Sequence, residues 1–253
     1  MRYYIILIFS FCIYIGDPLL ASEVDKLNPK IQSWPFDGPF GKFDREAAQR
    51  GFKVYKEVCS ACHSMNHLTY RNLKEIGFSE QEIKSLASEY QVSDGPNEVG
   101  DMFQRPALPS DRFLSPYPNE KSARASNNGA YPPDLSLIIK AREDGANYVF
   151  SILTGYKEAP ENFNLTSGLY YNPYFPHMQI AMPQPLSDGQ VSFDDNSPSS
   201  LDQMARDVVI FLQWAAEPEM ENRKSMGIKV FIFLIFFTIF FYIAKRRIWK
   251  DIE

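Results

Sequence analysis

Two cysteines and a histidine lie within five residues of one another and could together hold a haem. Residues 59–63 read CSACH, which is the C-x-x-C-H spacing of covalent haem c attachment. The thiols of Cys59 and Cys62 would form thioethers with the haem vinyl groups, and the imidazole of His63 would bind the iron. A thioredoxin-like dithiol would require a βαβ context, which the surrounding sequence does not offer. We therefore predict one covalently attached haem c.

The second axial position of the iron could be filled by methionine, by histidine or by nothing. A methionine paired with histidine raises the potential and suits electron transfer, whereas an open face admits oxygen or peroxide. Met182 is followed by Pro183, which restricts the backbone and could hold the thioether toward the metal. Met178 and His177 lie in the same loop, so they remain alternatives from chemistry alone.

Two amphipathic helices are predicted to position this chemistry. The first covers residues 45–58, begins after the N-cap Asp44 and leads directly into the haem motif. Gly51 costs about 1 kcal/mol in mid-helix, which is tolerable if it lets another helix approach closely. The second follows a capping-box pattern at Ser200 and Gln203 and ends before Pro218.

The residues between these helices predict a mainly α fold, resembling a cytochrome c-type haem domain. Shorter helices are expected over residues 79–87, 133–142 and 148–153. Residues 91–133 are rich in proline and predict long ordered loops. Strand content is expected to be low.

The first 21 residues have the order of a secretory signal peptide. Arg2 precedes an apolar run over residues 3–15, and the small pair Ala21-Ser22 follows. The run is shorter than the roughly 20 residues that a membrane span needs. Removal of residues 1–21 would also remove Cys12 and leave the haem pair as the remaining cysteines. The segment is not rich in Arg and Ser like a transit peptide, which favours bacterial export.

The other end of the chain predicts a single transmembrane helix over residues 226–244. Residues 228–244 are apolar apart from Lys229 and Thr238, and they would span about 26 Å. A buried core helix is the alternative, but this segment is large and aromatic on every side. We expect a periplasmic domain over 22–225 and a basic cytoplasmic tail over 245–253, with the protein in the bacterial inner membrane.

The charge of the chain argues against a nucleic-acid partner. The net charge is −5, although residues 223–253 contain seven basic and two acidic side chains. The preceding body is therefore more acidic than the whole chain, whereas nucleic-acid binding calls for basic stripes. Such a surface could steer a basic protein partner, or it could simply keep an exported domain soluble.

Six stretches of the sequence, in order and spacing, resemble the cytochrome c1 family. They are residues 43–65, 95–106, 125–138, 148–156, 168–186 and 207–219. The resemblance implies that Met182 is the axial methionine and that Arg142 and Tyr148 bind the haem propionates. The pair His177-Met178 departs from the smaller or uncharged residues of the family and places a second soft ligand nearby.

The resemblance also implies the partners and the role. The chain would belong to the cytochrome bc1 complex, beside cytochrome b, accepting an electron from the Rieske iron-sulfur protein and donating it to cytochrome c. It would be an electron carrier and would catalyse no bond change of its own. The alternative is a membrane-tethered haem c peroxidase-like enzyme or a haem sensor, either of which would keep an open or exchangeable iron face.

Overall fold

The structure is a computed structural model that describes residues 26–250. The predicted signal peptide therefore lies outside the described residues. Helices dominate the described part, which confirms the mainly α prediction. They are α1 Arg45–Glu57, α2 Glu80–Ser88, α3 Glu120–Ser126, α4 Gly145–Leu153, α5 Leu201–Ala216 and α6 Met220–Trp249. Short 3-10 turns cover Cys59–Ala61, Tyr70–Ile76 and Pro176–Met178.

Strands are short, as expected from the sequence. β1 Gln91–Asp94 pairs antiparallel with β2 Phe103–Pro106, with Gln91 opposite Pro106. β3 Tyr170–Tyr171 pairs antiparallel with β4 Gln179–Ile180, with Tyr170 opposite Ile180. The β1–β2 hairpin and α3 both lie in the region predicted to be loops, so part of that region is more regular than the sequence suggested.

The first helix forms as predicted because its cap and its apolar face agree. The Asp44 carboxylate accepts a hydrogen bond from the Ala47 amide at 3.0 Å, which satisfies one of the free N–H groups of the first turn. Ala48, Phe52 and Tyr55 are buried and form the apolar face of the helix. The helix ends at Glu57, immediately before the haem motif.

Helices α1 and α5 pack so closely that no side chain fits at Gly51. A Cβ built there would lie 2.0 Å from the backbone oxygen of Asp207 on α5. The predicted reason for this glycine is therefore confirmed, since its missing side chain allows the two backbones to touch. Arg50 beside it binds the buried Asp207 carboxylate at 2.7 Å.

The capping box predicted for α5 forms only in half. Ser200 accepts a hydrogen bond from the Gln203 amide at 3.3 Å, as expected. The Gln203 side chain does not return to Ser200 but donates to Asp207 at 2.9 Å. The buried Asp207 carboxylate needs donors, and one helical turn places Gln203 within reach.

Aromatic side chains fill the space between α1, α5 and the loop that follows the hairpin. Ring centroids of neighbouring pairs lie between 4.8 and 6.1 Å apart, which is the ordinary range for packed aromatic rings. The members are Phe52, Tyr55, Tyr70, Phe113, Phe211 and Trp214. This cluster is the part of the core that lies against the haem motif.

The helix predicted over residues 133–142 is wrong, because that segment forms turns. The Leu135 amide donates to the Ser64 carbonyl, and the Ser136 amide donates to the carboxylate of Asp134. Further along, the Ile138 and Lys140 amides donate to the carbonyls three residues back, those of Leu135 and Leu137, so the segment closes separate turns and not a continuous α-helical ladder. The neighbouring predicted helix exists but begins earlier, at Gly145.

Helix α6 is the one helix among residues 26–250 that is long and apolar enough to cross a membrane. None of its most apolar stretch is buried against the body, so it is not a core helix. Residues 26–250 thus form a packed, mainly helical body followed by one long apolar helix that could cross a membrane, which agrees with the predicted fold class.

The first turn of α6 is bound to the segment that precedes α1, and we call these contacts the anchor joint. The Glu221 carboxylate accepts from the Phe43 amide at 2.8 Å and pairs with Arg45 at 3.0 Å. The Lys224 ammonium donates to the Phe36 carbonyl at 2.6 Å. Met220 is buried, so the body meets the helix through packing as well as polar contacts.

Candidate haem site

The haem motif forms one tight turn at the end of α1. The amides of Cys62 and His63 both donate to the Cys59 carbonyl, at 3.1 and 2.9 Å. This turn places the two thiols and the imidazole next to one another, as covalent attachment to a single porphyrin requires. Cys59 is half-buried and Cys62 is exposed, so the pair lies at the boundary between the core and the surface.

The surroundings of Cys59 are apolar. It packs against the main hydrophobic core, and burial raises the pKa of its thiol to about 12. A thiolate is therefore disfavoured at this position, whereas a thioether carries no charge and has no such cost. The site suits a cysteine that is joined to a buried organic group.

The imidazole of His63 is oriented for metal binding through a single nitrogen. Its Nδ1 atom lies 2.8 Å from the carbonyl oxygen of Pro133. A carbonyl can only accept, so Nδ1 carries the proton and the lone pair is on Nε2. Burial lowers the pKa of His63, which keeps the ring neutral as a metal ligand must be.

Three candidates for the second ligand lie in different environments. Met182 packs against the same core as Cys59, and the Tyr156 hydroxyl donates to its carbonyl at 3.0 Å, which holds the loop in place. The Met178 sulfur accepts from the Tyr171 hydroxyl at 3.8 Å. His177 is exposed and has a left-handed backbone, with φ of 57°.

The available donors fit a haem c. The motif provides two thiols and one neutral imidazole with a free Nε2, and Met182 provides a thioether beside the same apolar core. Histidine with methionine is a ligand set found in electron-carrying haem c proteins. Of the three, Met182 is the one that packs against the main core together with Cys59, and its ligation of the iron stays a prediction.

The structure brings Arg142 and Tyr148 together. The Arg142 guanidinium lies near enough to the Tyr148 hydroxyl to act on its pKa. Burial raises the pKa of Tyr148, and the neighbouring guanidinium partly offsets that rise. Arg142 itself is exposed. A cation and a neutral phenol side by side could bind a carboxylate through several hydrogen bonds.

Sequence reasoning missed Asp134, which lies next to the carbonyl that binds His63. Its carboxylate accepts from the Ser64 hydroxyl, the Asn66 amide and the Ser136 amide, each at 2.8 Å. Burial opposes its ionisation, but these hydrogen bonds outweigh burial and hold the pKa of Asp134 below its usual value. The D-x-S pattern of an Asx turn was the available signal.

Comparison with known proteins finds a matching family and relatives over most of the chain. Residues 34–252 match the model of the Cytochrome C1 family. The chain is 53% identical over 196 residues to "Cytochrome c1-2, heme protein, mitochondrial" of Solanum tuberosum, covering 78% of this chain and 75% of the relative. It is 44% identical over 238 residues to the cytochrome c1 of Rhodospirillum rubrum, covering 88% of each.

A third relative is longer than this chain. The protein named "Cytochrome b/c1" from Bradyrhizobium diazoefficiens is 49% identical over 245 residues. The match covers 88% of this chain but 36% of the relative, so the chain spans little more than a third of that protein's length.

Proposed function

Since the chain belongs to the cytochrome c1 family and carries one covalently bound haem c, we propose that it accepts an electron from the Rieske iron-sulfur protein and donates it to cytochrome c within the cytochrome bc1 complex. The observation that supports this role best is the orientation of His63, whose Nε2 is left free for iron by the bond from Nδ1 to Pro133. Met182 borders the same core and would occupy the opposite face.

Each site residue has a separate task in this proposal. Cys59 and Cys62 hold the porphyrin through thioethers, while His63 and Met182 bind the iron. When bound, the haem supplies a one-electron couple, whose potential the protein adjusts through its ligands and their surroundings. With His63 on one side of the iron and Met182 on the other, no iron face would be vacant, which supports electron transfer rather than catalysis by this chain.

Arg142 and Tyr148 would hold the haem propionates. Their proximity places a guanidinium and a phenol side by side, and both can donate to a carboxylate. Arg142 is exposed, as expected for a group at the edge of the site. The positive charge of Arg142 would partly neutralise the propionate that it binds, and the propionate charge is one of the influences on the redox potential of the iron.

The membrane arrangement follows the sequence interpretation. We propose removal of residues 1–21, a periplasmic domain over 22–225, a span over 226–244 and a cytoplasmic tail over 245–253 in the bacterial inner membrane. Helix α6 contains the whole proposed span, and its basic end agrees with the positive-inside rule. In this arrangement the span would lie against cytochrome b.

Ligation by a thioether is the test of the proposed function. We expect the oxidised full chain to show a sulfur-to-iron charge-transfer absorption band and the reduced chain to resist carbon monoxide. A peroxidase-like enzyme or a gas sensor would lack that band and would bind carbon monoxide readily. Co-purification of cytochrome b and the Rieske protein through the full chain tests the proposed assembly.

A further inference from the structure

Two segments that are distant in sequence are joined directly beside His63. Residues 63–67 and 133–136 are linked by five hydrogen bonds between 2.8 and 3.1 Å long. His63 Nδ1 donates to the Pro133 carbonyl, and the Leu135 amide donates to the Ser64 carbonyl. The Ser64 hydroxyl and the Asn66 amide both donate to the Asp134 carboxylate. The His67 amide donates to the Ser136 hydroxyl.

Asp134 is the one charged residue within this set of bonds. It accepts two bonds across the two segments and a third from the Ser136 amide within its own segment. All three donors are neutral groups, so they spread the negative charge without cancelling it. The imidazole of His67 is 3.9 Å away, too far for a hydrogen bond.

The carboxylate is placed to act on the iron through His63 in two ways. It holds together the segments whose contact keeps the Pro133 carbonyl on His63 Nδ1, and a partner on that nitrogen raises the basicity of the ligand. It also adds a negative charge in a half-buried position, with the side chain 28% exposed, where screening by water is incomplete. Both effects favour oxidised iron over reduced iron.

We propose that Asp134 lowers the redox potential of the haem iron chiefly through the negative charge that it holds next to His63, and that its positioning of His63 is the smaller effect. This inference rests on the proposed function only in requiring that His63 binds haem iron. It assigns a role to a residue that is neither a ligand nor a haem attachment point.

Two substitutions separate the effect of charge from the effect of structure. Asp134→Asn removes the charge and keeps a side chain of similar shape. Ser64→Ala removes one hydrogen-bond donor to the Asp134 carboxylate. The negative charge of Asp134 is then less dispersed and acts more strongly on the iron. The charge effect therefore predicts a higher potential for the first variant and a lower one for the second. A purely structural role predicts that both variants loosen the same contact and change the potential in one direction.

The measurement is a redox titration of the haem-loaded full chain at one pH. We expect Asp134→Asn to change the redox equilibrium by up to about tenfold, which is about 59 mV for a one-electron couple. The matched control is Glu80→Gln, which removes an equal charge from a side chain that is 81% exposed and should leave the potential unchanged. Absorption spectra check that both axial ligands remain in place.

A wild-type potential in Asp134→Asn, or shifts of the same sign in both variants, would overturn the inference. If Asp134→Asn yields no haem-loaded protein, Ser64→Ala decides alone, since a lower potential supports the inference and an unchanged or higher one contradicts it. Failure of the wild-type chain to bind haem would instead contradict the proposed function, so the two failures can be told apart.

Discussion

Met182 and Met178 lie four residues apart in one loop, yet their sulfur atoms have different surroundings. Met178 accepts a hydrogen bond from Tyr171, whereas Met182 packs against both groups of core residues. The sequence alone ranked Met182 first only because of the following proline, and the resemblance to a family strengthened that choice. The packing now adds an independent physical reason.

Replacing Met182 by Leu should lower the midpoint potential, by about 100 mV or more, because a thioether ligand stabilises reduced iron. The reduced variant should also bind carbon monoxide at the vacated position. A redox titration and a carbon monoxide difference spectrum measure both effects. Met178→Leu is the matched control and should change neither property. Wild-type behaviour of Met182→Leu would remove this residue from the iron.

At the scale of elements, capping residues and apolar periodicity predicted a helix correctly where its formation depends on its own residues. Helix α1 begins after its predicted cap Asp44, and α2 begins after Ser79, whose capping box with Glu82 is complete. The prediction for 133–142 was wrong: the Ile138 and Lys140 amides close turns of three residues, while tertiary hydrogen bonds tie the start of the segment to residues 63–67. A periodic pattern does not reveal such tertiary contacts.

Gly51→Ala should destabilise the domain by at least about 2 kcal/mol, because the added methyl group would collide with the Asp207 backbone on α5. Denaturant unfolding of the haem-loaded full chain in detergent measures this loss. The control is Gly227→Ala on α6, where a Cβ would meet nothing within 4 Å and a gain in helix propensity is expected. Equal stability of the two variants would show that α1 and α5 do not pack as described.

The anchor joint should weaken at acidic pH. Arg45 lowers the pKa of Glu221 below its usual 4.5, so the carboxylate contributes stability above about pH 4.5 and loses it as the pH falls through the lowered value. We expect the Phe43 amide to exchange faster in acid relative to an unstructured amide at the same pH, because that amide donates to Glu221.

The substitution Glu221→Gln should produce the same faster exchange already at neutral pH, and should abolish its acid dependence. Glu219→Gln is the control, since the Glu219 carboxylate binds Asn222 within the same helix and not the segment before α1. Exchange at Phe43 that is indifferent to both pH and Glu221 would show that the joint depends on packing of Met220 instead.

At the scale of the whole molecule, the acidic residues available to a basic partner are not equivalent. Asp194 and Asp195 pair with Lys53 and Arg50, which reduces their field. Glu98 and Asp101 lie exposed in the β1–β2 loop and form no ion pair among the described residues. Glu143 and Asp144, the third acidic pair, precede α4. Glu143 and Asp144 are likewise exposed and without an ion pair among the described residues, so two of the three pairs keep their full field, and we choose the hairpin loop as the first to test for docking of the proposed acceptor cytochrome.

Neutralising this loop with Glu98→Gln and Asp101→Asn should slow electron transfer to a basic cytochrome c several-fold at low ionic strength. The difference should vanish above physiological salt, where charges are screened over about 8 Å. Stopped-flow rates against ionic strength test this, with Asp194→Asn as the control. Rates that do not change with salt in the wild type would contradict electrostatic steering.

The sequence by itself determined the haem motif, the helix that leads into it and the long apolar α6. These features depend on residues within a few turns of one another, or on a residue type with few uses. The tertiary structure alone decided how Asp134 binds a segment 70 residues away and how Glu221 caps a segment 178 residues away. A hydrogen bond across such a separation exists only once the intervening chain has folded, so no local pattern in the sequence predicts it.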